Sequence, residues 1–136
     1  MFTLSSEPIH SDRLRRECSL HTAGAVVVFE GVVREFSQSR KVTKLAYEAT
    51  QALANAEYEL IVQEAMRRYP VLWTRCVHRI GEVPPGETAI WLGVACGHRA
   101  EAFEACRFII DEIKARLPVW KKEIYDDGES EWINAP

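Results

Sequence analysis

The sequence predicts an α+β domain with a mostly antiparallel sheet and two main helices. Strand-like alternation and helical periodicity follow one another along the chain, and the segment GEVPPGE joins two strand-like runs as a tight turn would. No linker, repeat or low-complexity segment interrupts the 136 residues. A chain of this length can bury a core without metals or disulfides, so we expect one domain over residues 1–136.

Five runs have the character of strands. The first, GAVVVFEGVV at residues 24–33, is almost continuously β-branched, which favours a central strand buried on both faces. A polar loop, EFSQSRK, leads from it to VTKLAYEA at residues 42–49. WTRCVHRIG and TAIWLGVAC, at residues 73–81 and 88–96, are expected to form a hairpin whose proline and glycine suit a type II turn. VWKKEIY, residues 119–125, resumes the alternation.

Two segments have the periodicity of amphipathic helices. In residues 51–69 apolar side chains recur at helical spacing. The same spacing recurs over residues 98–116, and Pro118 is expected to end that helix. Nearer the N-terminus, Ser11 is a candidate N-cap for a short helix over residues 12–19.

Composition limits the possible partners. The net charge of −3 gives no basic surplus of the kind that nucleic acids or anionic membranes attract. No apolar run approaches the roughly 20 residues of a membrane helix, and the N-terminus lacks the basic start and apolar centre of a signal peptide. We therefore expect a cytoplasmic protein that binds neither nucleic acid nor a membrane.

The four cysteines form no CxxC pair and are expected to be small core residues in a reducing compartment. A repeated C-x-H-R pattern does allow an alternative, a zinc site built from Cys76, His78, Cys96 and His98. Its spacing is not that of a known zinc finger or knuckle, so we expect no metal.

Gly97, His98 and Arg99 lie where a strand passes into a helix. A helix start exposes unpaired N–H groups and the positive end of the dipole, so it can bind an anion, and arginine offers a planar fork to phosphate oxygens. Cations are unfavourable there unless something negative is bound. Ordinary surface residues in the first helical turn are the alternative interpretation. Arg34, at the end of the first strand, has the same two interpretations.

Lysines cluster around the end of the second helix. Lys114 is in its last turn, where cations are favoured, and Lys121 and Lys122 must point to opposite faces of the following strand. One of the pair can therefore line a pocket, although a solvated surface is the alternative. A helix of about 16 residues separates His98 from Lys114 by roughly 24 Å. Either there are two basic sites, or a second copy brings the two ends together in a homodimer.

Five segments together resemble the large, catalytic subunit of molybdopterin synthase. They occur in the order and spacing of that family and cover residues 24 to about 132: GAVVVFEGVVR (24–34), LAYEA (45–49), HRIGEVPPGE (78–87), GHRAEAF (97–103) and LPVWKKE (117–123). The resemblance departs from the family pattern at two places. The loop after Arg34 has Ser39 near the position of a usual glycine, and the chain stops soon after Trp132 where the family often has a basic tail.

The resemblance implies a fold and an activity. The fold is of the α/β-hammerhead type, assembled as a central homodimer with a small ubiquitin-like subunit at each end of a heterotetramer. The activity is a sulfur transfer in molybdenum cofactor biosynthesis, without a cofactor of its own. Cyclic pyranopterin monophosphate receives two dithiolene sulfurs from the thiocarboxylate at the Gly-Gly C-terminus of the small subunit.

The resemblance also implies roles for particular residues. Arg34, His98 and Arg99 match substrate-binding positions that would hold the phosphate. Lys114 and Lys121 match the two functional lysines, of which we expect Lys121 to be the more critical. The alternative is a non-catalytic subunit that binds an anionic nucleotide-like ligand or a ubiquitin-like tail.

Overall fold

The computed structural model describes residues 1–136 and contains ten strands and three helices. In chain order they are β1 Phe2–Ser5, α1 Ser11–Arg16, β2 Ala25–Val32, β3 Phe36–Ser37, β4 Arg40–Ala49, α2 Gln51–Arg68, β5 Val71–Arg79, β6 Gly81–Val83, β7 Thr88–Cys96, α3 Arg99–Arg116, β8 Val119–Tyr125, β9 Gly128–Glu129 and β10 Ile133–Asn134. The predicted α+β class with two main helices is confirmed, and α1 is the short third helix.

Two sheets share these strands. The first has the order β1-β5-β7-β2, with the predicted β5–β7 hairpin at its centre and β1 parallel to β5. The second has the order β10-β8-β4-β3, with β6 added beside β4 and β9 beside β8, and all its pairings are antiparallel. Because β6 lies in the connection between β5 and β7 but pairs with β4, the same turn ties the two sheets together.

The long helices cover one face of the first sheet. Both contact it, α3 against β2 and β7 and α2 against β1 and β5, and they contact each other. Their apolar stripes, with Ile61 on α2 and Ile109 on α3, pack on Ile90 and Leu92 in one core. On the opposite face Leu14 of α1 packs in a small cluster with Trp91. Burial on both faces explains why β5 and β7 are the most continuously buried strands.

Residues 24–33 were correctly predicted to form a strand, but the prediction that this strand lies at the centre of the sheet was wrong. β2 is a strand, but it lies at the edge of the first sheet and pairs only with β7. Its residues alternate between half-buried and exposed, and Val28 and Val32 are exposed. A β-branched run favours strand conformation wherever the strand lies, so this pattern alone does not distinguish an edge from a centre.

The start of the chain also differs from expectation. Ser11 is the first residue of α1, not its N-cap; the N-cap is His10, and the helix ends at Arg16. The Ser11 hydroxyl instead accepts a hydrogen bond of 2.8 Å from Nε1 of Trp91. That buried indole needs an acceptor, which explains the serine by a tertiary contact rather than a cap. None of the three helices has the length and apolar character needed to cross a membrane.

Candidate active site

A cavity of about 190 Å³ lies where the end of β2, the last turn of α3 and the second sheet meet. Three of the five predicted site residues line it: Arg34, Lys114 and Lys121. Glu123 is the one acidic side chain among the lining residues. The cavity is therefore predominantly cationic in a chain whose net charge is −3, which suits an anionic ligand.

The strands set which lysine enters the cavity. Lys121 lies opposite Tyr47 in the β4–β8 ladder, and both side chains line the cavity. Lys122 is absent from the cavity lining; its Nζ lies 3.2 Å from Oε1 of Glu129 and 5.0 Å from the ring centre of Trp132. The prediction that the two lysines serve opposite faces is confirmed.

Lys114 is partly buried in the cavity. Its Nζ donates a hydrogen bond of 2.7 Å to the backbone oxygen of Pro136, which also lines the cavity. Burial lowers the pKa of Lys114, and the positive charge of Lys121 lowers it further. Lys121 has a carboxylate nearby, since its Nζ lies 3.7 Å from Oε1 of Glu123. The two lysines are thus close enough to influence each other, and they have different partners.

His78 forms part of the cavity wall, a placement that the sequence did not predict. Its ring is fully buried, with Nδ1 2.7 Å from the carbonyl oxygen of Arg79 and an edge-on contact with Tyr47, centroid to centroid 4.8 Å. Nε2 has no hydrogen-bond partner. Burial lowers the pKa of His78 to about 4, with a smaller contribution from the charge of Lys114. The ring is therefore neutral at physiological pH.

The C-x-H-R pattern does not assemble a metal site. Cys76, Cys96 and Cys106 are buried, and no group of three or more His, Cys, Asp and Glu side chains is placed to hold a metal ion. Burial raises the pKa of the Cys76 and Cys106 thiols, which suits inert core residues. Cys76 lies opposite Leu92 and Cys96 opposite Val71 in the β5–β7 ladder, so the two copies of the pattern lie at different levels of the sheet.

His98 and Arg99 do not reach this cavity within one chain. His98 is the N-cap residue of α3 and Arg99 its first residue, at the end opposite Lys114. Both side chains are exposed and form neither an ion pair nor a hydrogen bond. The structure therefore brings three predicted residues together and leaves these two at a separate surface.

The loop after Arg34 folds into a small hairpin beside the cavity. Phe36 and Ser37 form β3 and line the cavity, and the turn that follows places Gln38 and Ser39 at φ values of 49° and 70°. These are left-handed conformations, which glycine adopts most readily. Ser39 thus adopts a left-handed backbone conformation that is typical of glycine.

A larger apolar groove of about 570 Å³ borders the cationic cavity. Tyr47 lines both, and Leu53, Pro118, Trp120 and Trp132 form much of the groove's apolar wall. Trp120 and Trp132 are partly exposed, at 47% and 38%. The groove carries no lysine or arginine and has two glutamates, Glu48 and Glu82, in its lining, so it differs in charge from the cationic cavity beside it.

Comparisons with known proteins identify the family of the chain. The family model described as "MoaE protein" matches residues 4–116. The molybdopterin synthase catalytic subunit of Pyrococcus abyssi is 48% identical over 115 residues, covering 85% of this chain and 77% of the relative. That of Oryza sativa subsp. indica is 45% identical over 107 residues, covering 79% of this chain but 55% of the relative, so the chain spans about half of the plant protein.

A solved structure gives the same result for the fold. The X-ray structure of molybdopterin synthase from Staphylococcus aureus superposes with a TM-score of 0.89 at 36% identity, covering 96% of this chain and 94% of that one. The family match over residues 4–116 includes β2, β4, β5, β7 and α3, which all contribute residues to the cavity lining, and it ends before β8. The chain belongs to the MoaE protein family.

Proposed function

We propose that residues 1–136 act as one domain, the catalytic subunit of a molybdopterin synthase, and that the enzyme is a sulfurtransferase. Its substrate is cyclic pyranopterin monophosphate and its sulfur donor the thiocarboxylate of a small ubiquitin-like subunit. One observation carries the proposal: Arg34, Lys114 and Lys121 line a single cavity in a chain of the MoaE family. Relatives at up to 48% identity are named molybdopterin synthase catalytic subunit.

The cationic cavity can stabilise the two negatively charged groups of the reaction, the substrate phosphate and the oxyanion that forms during sulfur transfer. The exposed guanidinium of Arg34 at its rim can hold the substrate phosphate through paired hydrogen bonds. The ammonium groups of Lys114 and Lys121 can stabilise the oxyanion that forms on the thiocarboxylate carbon. The lowered pKa of Lys114 also makes its ammonium group a better proton donor than an ordinary exposed lysine.

The sulfur transfer can be written in two steps. The thiocarboxylate sulfur forms a C–S bond to a side-chain carbon of the pterin while the C–O bond at that carbon breaks. The oxygen leaves as water at one carbon, and at the other it stays on the phosphate as the cyclic ester opens. Water then cleaves the bond between the acyl carbon and the sulfur, so the tail leaves as a carboxylate and the sulfur stays on the pterin. Two such rounds supply both dithiolene sulfurs.

The contact between Lys114 and Pro136 supports the entry of a peptide tail. Nζ of Lys114 already donates to the backbone oxygen of Pro136 at 2.7 Å, so the cavity accepts a main-chain acceptor beside this lysine. A thiocarboxylate at the end of a Gly-Gly tail would present the same kind of acceptor, and glycine passes through a narrow channel because it has no side chain. The apolar groove beside the cavity provides a surface for the body of the small subunit.

His98 and Arg99 support a homodimer. Lys114 follows Arg99 by 15 positions along α3, which places the two residues about 22 Å apart, too far for one small ligand. In a twofold dimer, the helix start of one copy can complete the cavity of the other. The exposed side chains of His98 and Arg99 then have a role, since both can donate hydrogen bonds to a phosphate bound at the start of α3.

Reconstitution tests the proposed function. The chain is mixed with the pterin substrate and a small subunit carrying either a C-terminal thiocarboxylate or, as control, the ordinary carboxylate, and the pterin is weighed by mass spectrometry. We expect a product heavier by sulfur with the thiocarboxylate alone. Unchanged substrate that merely co-purifies with the protein would instead identify a non-catalytic binding subunit.

A further inference from the structure

The imidazole of His78 is fixed in one tautomer. A carbonyl oxygen can only accept, so the 2.7 Å contact with the carbonyl of Arg79 requires that Nδ1 carries the proton. Nε2 is then an acceptor with a free lone pair. It is buried and has no partner, although the ring lines the cationic cavity. Buried hydrogen-bond acceptors without a partner are rare, so we expect Nε2 to accept a hydrogen bond from a nearby donor.

Lys114 is the nearby donor with capacity to spare. Its ammonium group has three N–H bonds, and one of them goes to Pro136. The remaining charged and titratable side chains on the cavity are Arg34 after β2, Tyr47 on β4, and Lys121 and Glu123 on β8. Glu123 is already engaged, since it accepts a hydrogen bond from the Tyr125 hydroxyl and lies near Lys121.

We propose that His78 is a positioning residue for Lys114, accepting at Nε2 a hydrogen bond from the lysine ammonium and directing its remaining N–H toward the reacting thiocarboxylate. A neutral acceptor suits this purpose better than a carboxylate would. It orients the ammonium without cancelling the charge that an anionic substrate and an oxyanion require. The consequence for turnover rests on the proposed function, whereas the contact itself can be tested without any substrate.

Two variants of His78 test the roles of its two ring nitrogens separately. His78→Asn keeps an amide N–H close to the position of Nδ1, able to donate to the Arg79 carbonyl, and has no atom at the position of Nε2. His78→Gln is longer and can present its amide oxygen near that position. Lysine reactivity is measured by competitive labelling with an amine reagent across a pH series, with each lysine quantified by mass spectrometry. Lys122, on the opposite face of β8, is the internal control.

The proposal predicts a difference between the variants. Losing an acceptor for an ammonium group lowers the pKa of Lys114, so its deprotonated fraction at a fixed pH below that pKa rises by about tenfold in His78→Asn. In His78→Gln it stays within about threefold of the wild-type value. Labelling of Lys122 stays unchanged in both. Equal labelling of Lys114 in wild type, His78→Asn and His78→Gln would overturn the proposal.

A second measurement does not depend on variants of the buried histidine. In ¹⁵N-labelled protein, Lys114→Met removes the donor and leaves the Arg79 carbonyl in place. The Nε2 resonance of His78 should then move while the Nδ1 resonance stays, and a stationary Nε2 resonance would contradict the contact.

In the reconstituted enzyme, His78→Asn should lower kcat and leave KM nearly unchanged, with recovery in His78→Gln. A loss confined to KM would assign His78 to substrate binding instead.

Discussion

The ammonium nitrogen of Lys114 lies 2.7 Å from the backbone oxygen of Pro136, inside a cavity that Lys121 also lines. Lys114 is therefore held by a backbone acceptor, while burial and a like charge destabilise its charged form. A lysine in this state is suited to exchange a proton or to receive a new anionic partner.

Replacing Lys114 removes a group that contacts the reacting atoms in the proposed mechanism. We expect Lys114→Ala to lower kcat for dithiolene formation by about 100-fold or more, and Lys121→Ala to lower it at least as much. Lys122→Ala is the matched control on the same strand and should remain within about twofold of wild type, because its side chain lies outside the cavity. The measurement is the single-turnover rate in the reconstituted enzyme. Near-normal turnover by Lys121→Ala would refute its assignment.

The influence of Lys121 on Lys114 can be measured in the isolated protein. Removing the positive charge in Lys121→Met raises the pKa of Lys114, because a like charge disfavours the ammonium form. At a fixed pH below that pKa, amine labelling of Lys114 should fall by about threefold or more. Lys44, paired with Glu82 on the second sheet, should keep its wild-type reactivity. Unchanged labelling of Lys114 would mean that the two charges do not interact in solution.

His78 should make the fold sensitive to acid. Its pKa is about 4 in the folded protein and 6.5 in an unfolded chain, so between these values the unfolded state binds more protons. The contribution of the neutral ring to stability is fully present above pH 6.5 and is lost as the pH falls through about 4. Over that window it amounts to about 3 kcal/mol.

Denaturant unfolding at a series of pH values tests this sensitivity. The slope of the free energy of unfolding between pH 6.5 and 4 should flatten in His78→Gln. The exposed His98 offers a matched control, and His98→Gln should leave the slope as in wild type. An identical slope in His78→Gln and wild type would show that His78 is not the residue that titrates.

The backbone just before β2 lies close against the backbone just before α3. A Cβ atom at Gly24 would lie 2.1 Å from the carbonyl oxygen of Gly97, so the chain before β2 passes directly against the residue before His98. Gly24→Ala forces these backbones apart and should reduce the free energy of unfolding by about 2 kcal/mol or more. Gly97→Ala is the control, since its Cβ would meet nothing within 4 Å, and we expect a change of at most about 0.5 kcal/mol. Equal stability of the two variants would contradict the close approach.

Most elements of the fold could be predicted from the sequence because their periodicity is strong. The long helices and the strands β4, β5, β7 and β8 lie within a few residues of their predicted bounds. The position of β2 at a sheet edge depends on which strands pair, and local pattern carries no information on pairing. β1 was missed because it is four residues long and is held by pairing with β5, a partner about 70 residues away.

The candidate site was predictable to a different degree. Arg34, Lys114 and Lys121 were expected from their places at element ends and from the family resemblance, and the structure brings them into one cavity. His78 was weighed only as a zinc ligand. Its actual setting depends on the packing of β5 against β4, which places the ring beside Tyr47 and close to Lys114. The HRIG segment, which is part of the family resemblance, was the feature of the sequence that could have pointed to His78 as a site residue.

A complementation experiment tests most directly whether cations of two copies form one site. Copies carrying Lys121→Ala are mixed and refolded with copies carrying Arg99→Ala, each inactive alone in dithiolene formation. If Arg99 of one copy serves the cavity of the other, half of the dimers are mixed and one of their two sites is intact, so about a quarter of wild-type activity should return. No recovery beyond that of the separate variants, in dimers shown to have exchanged, would contradict the shared site.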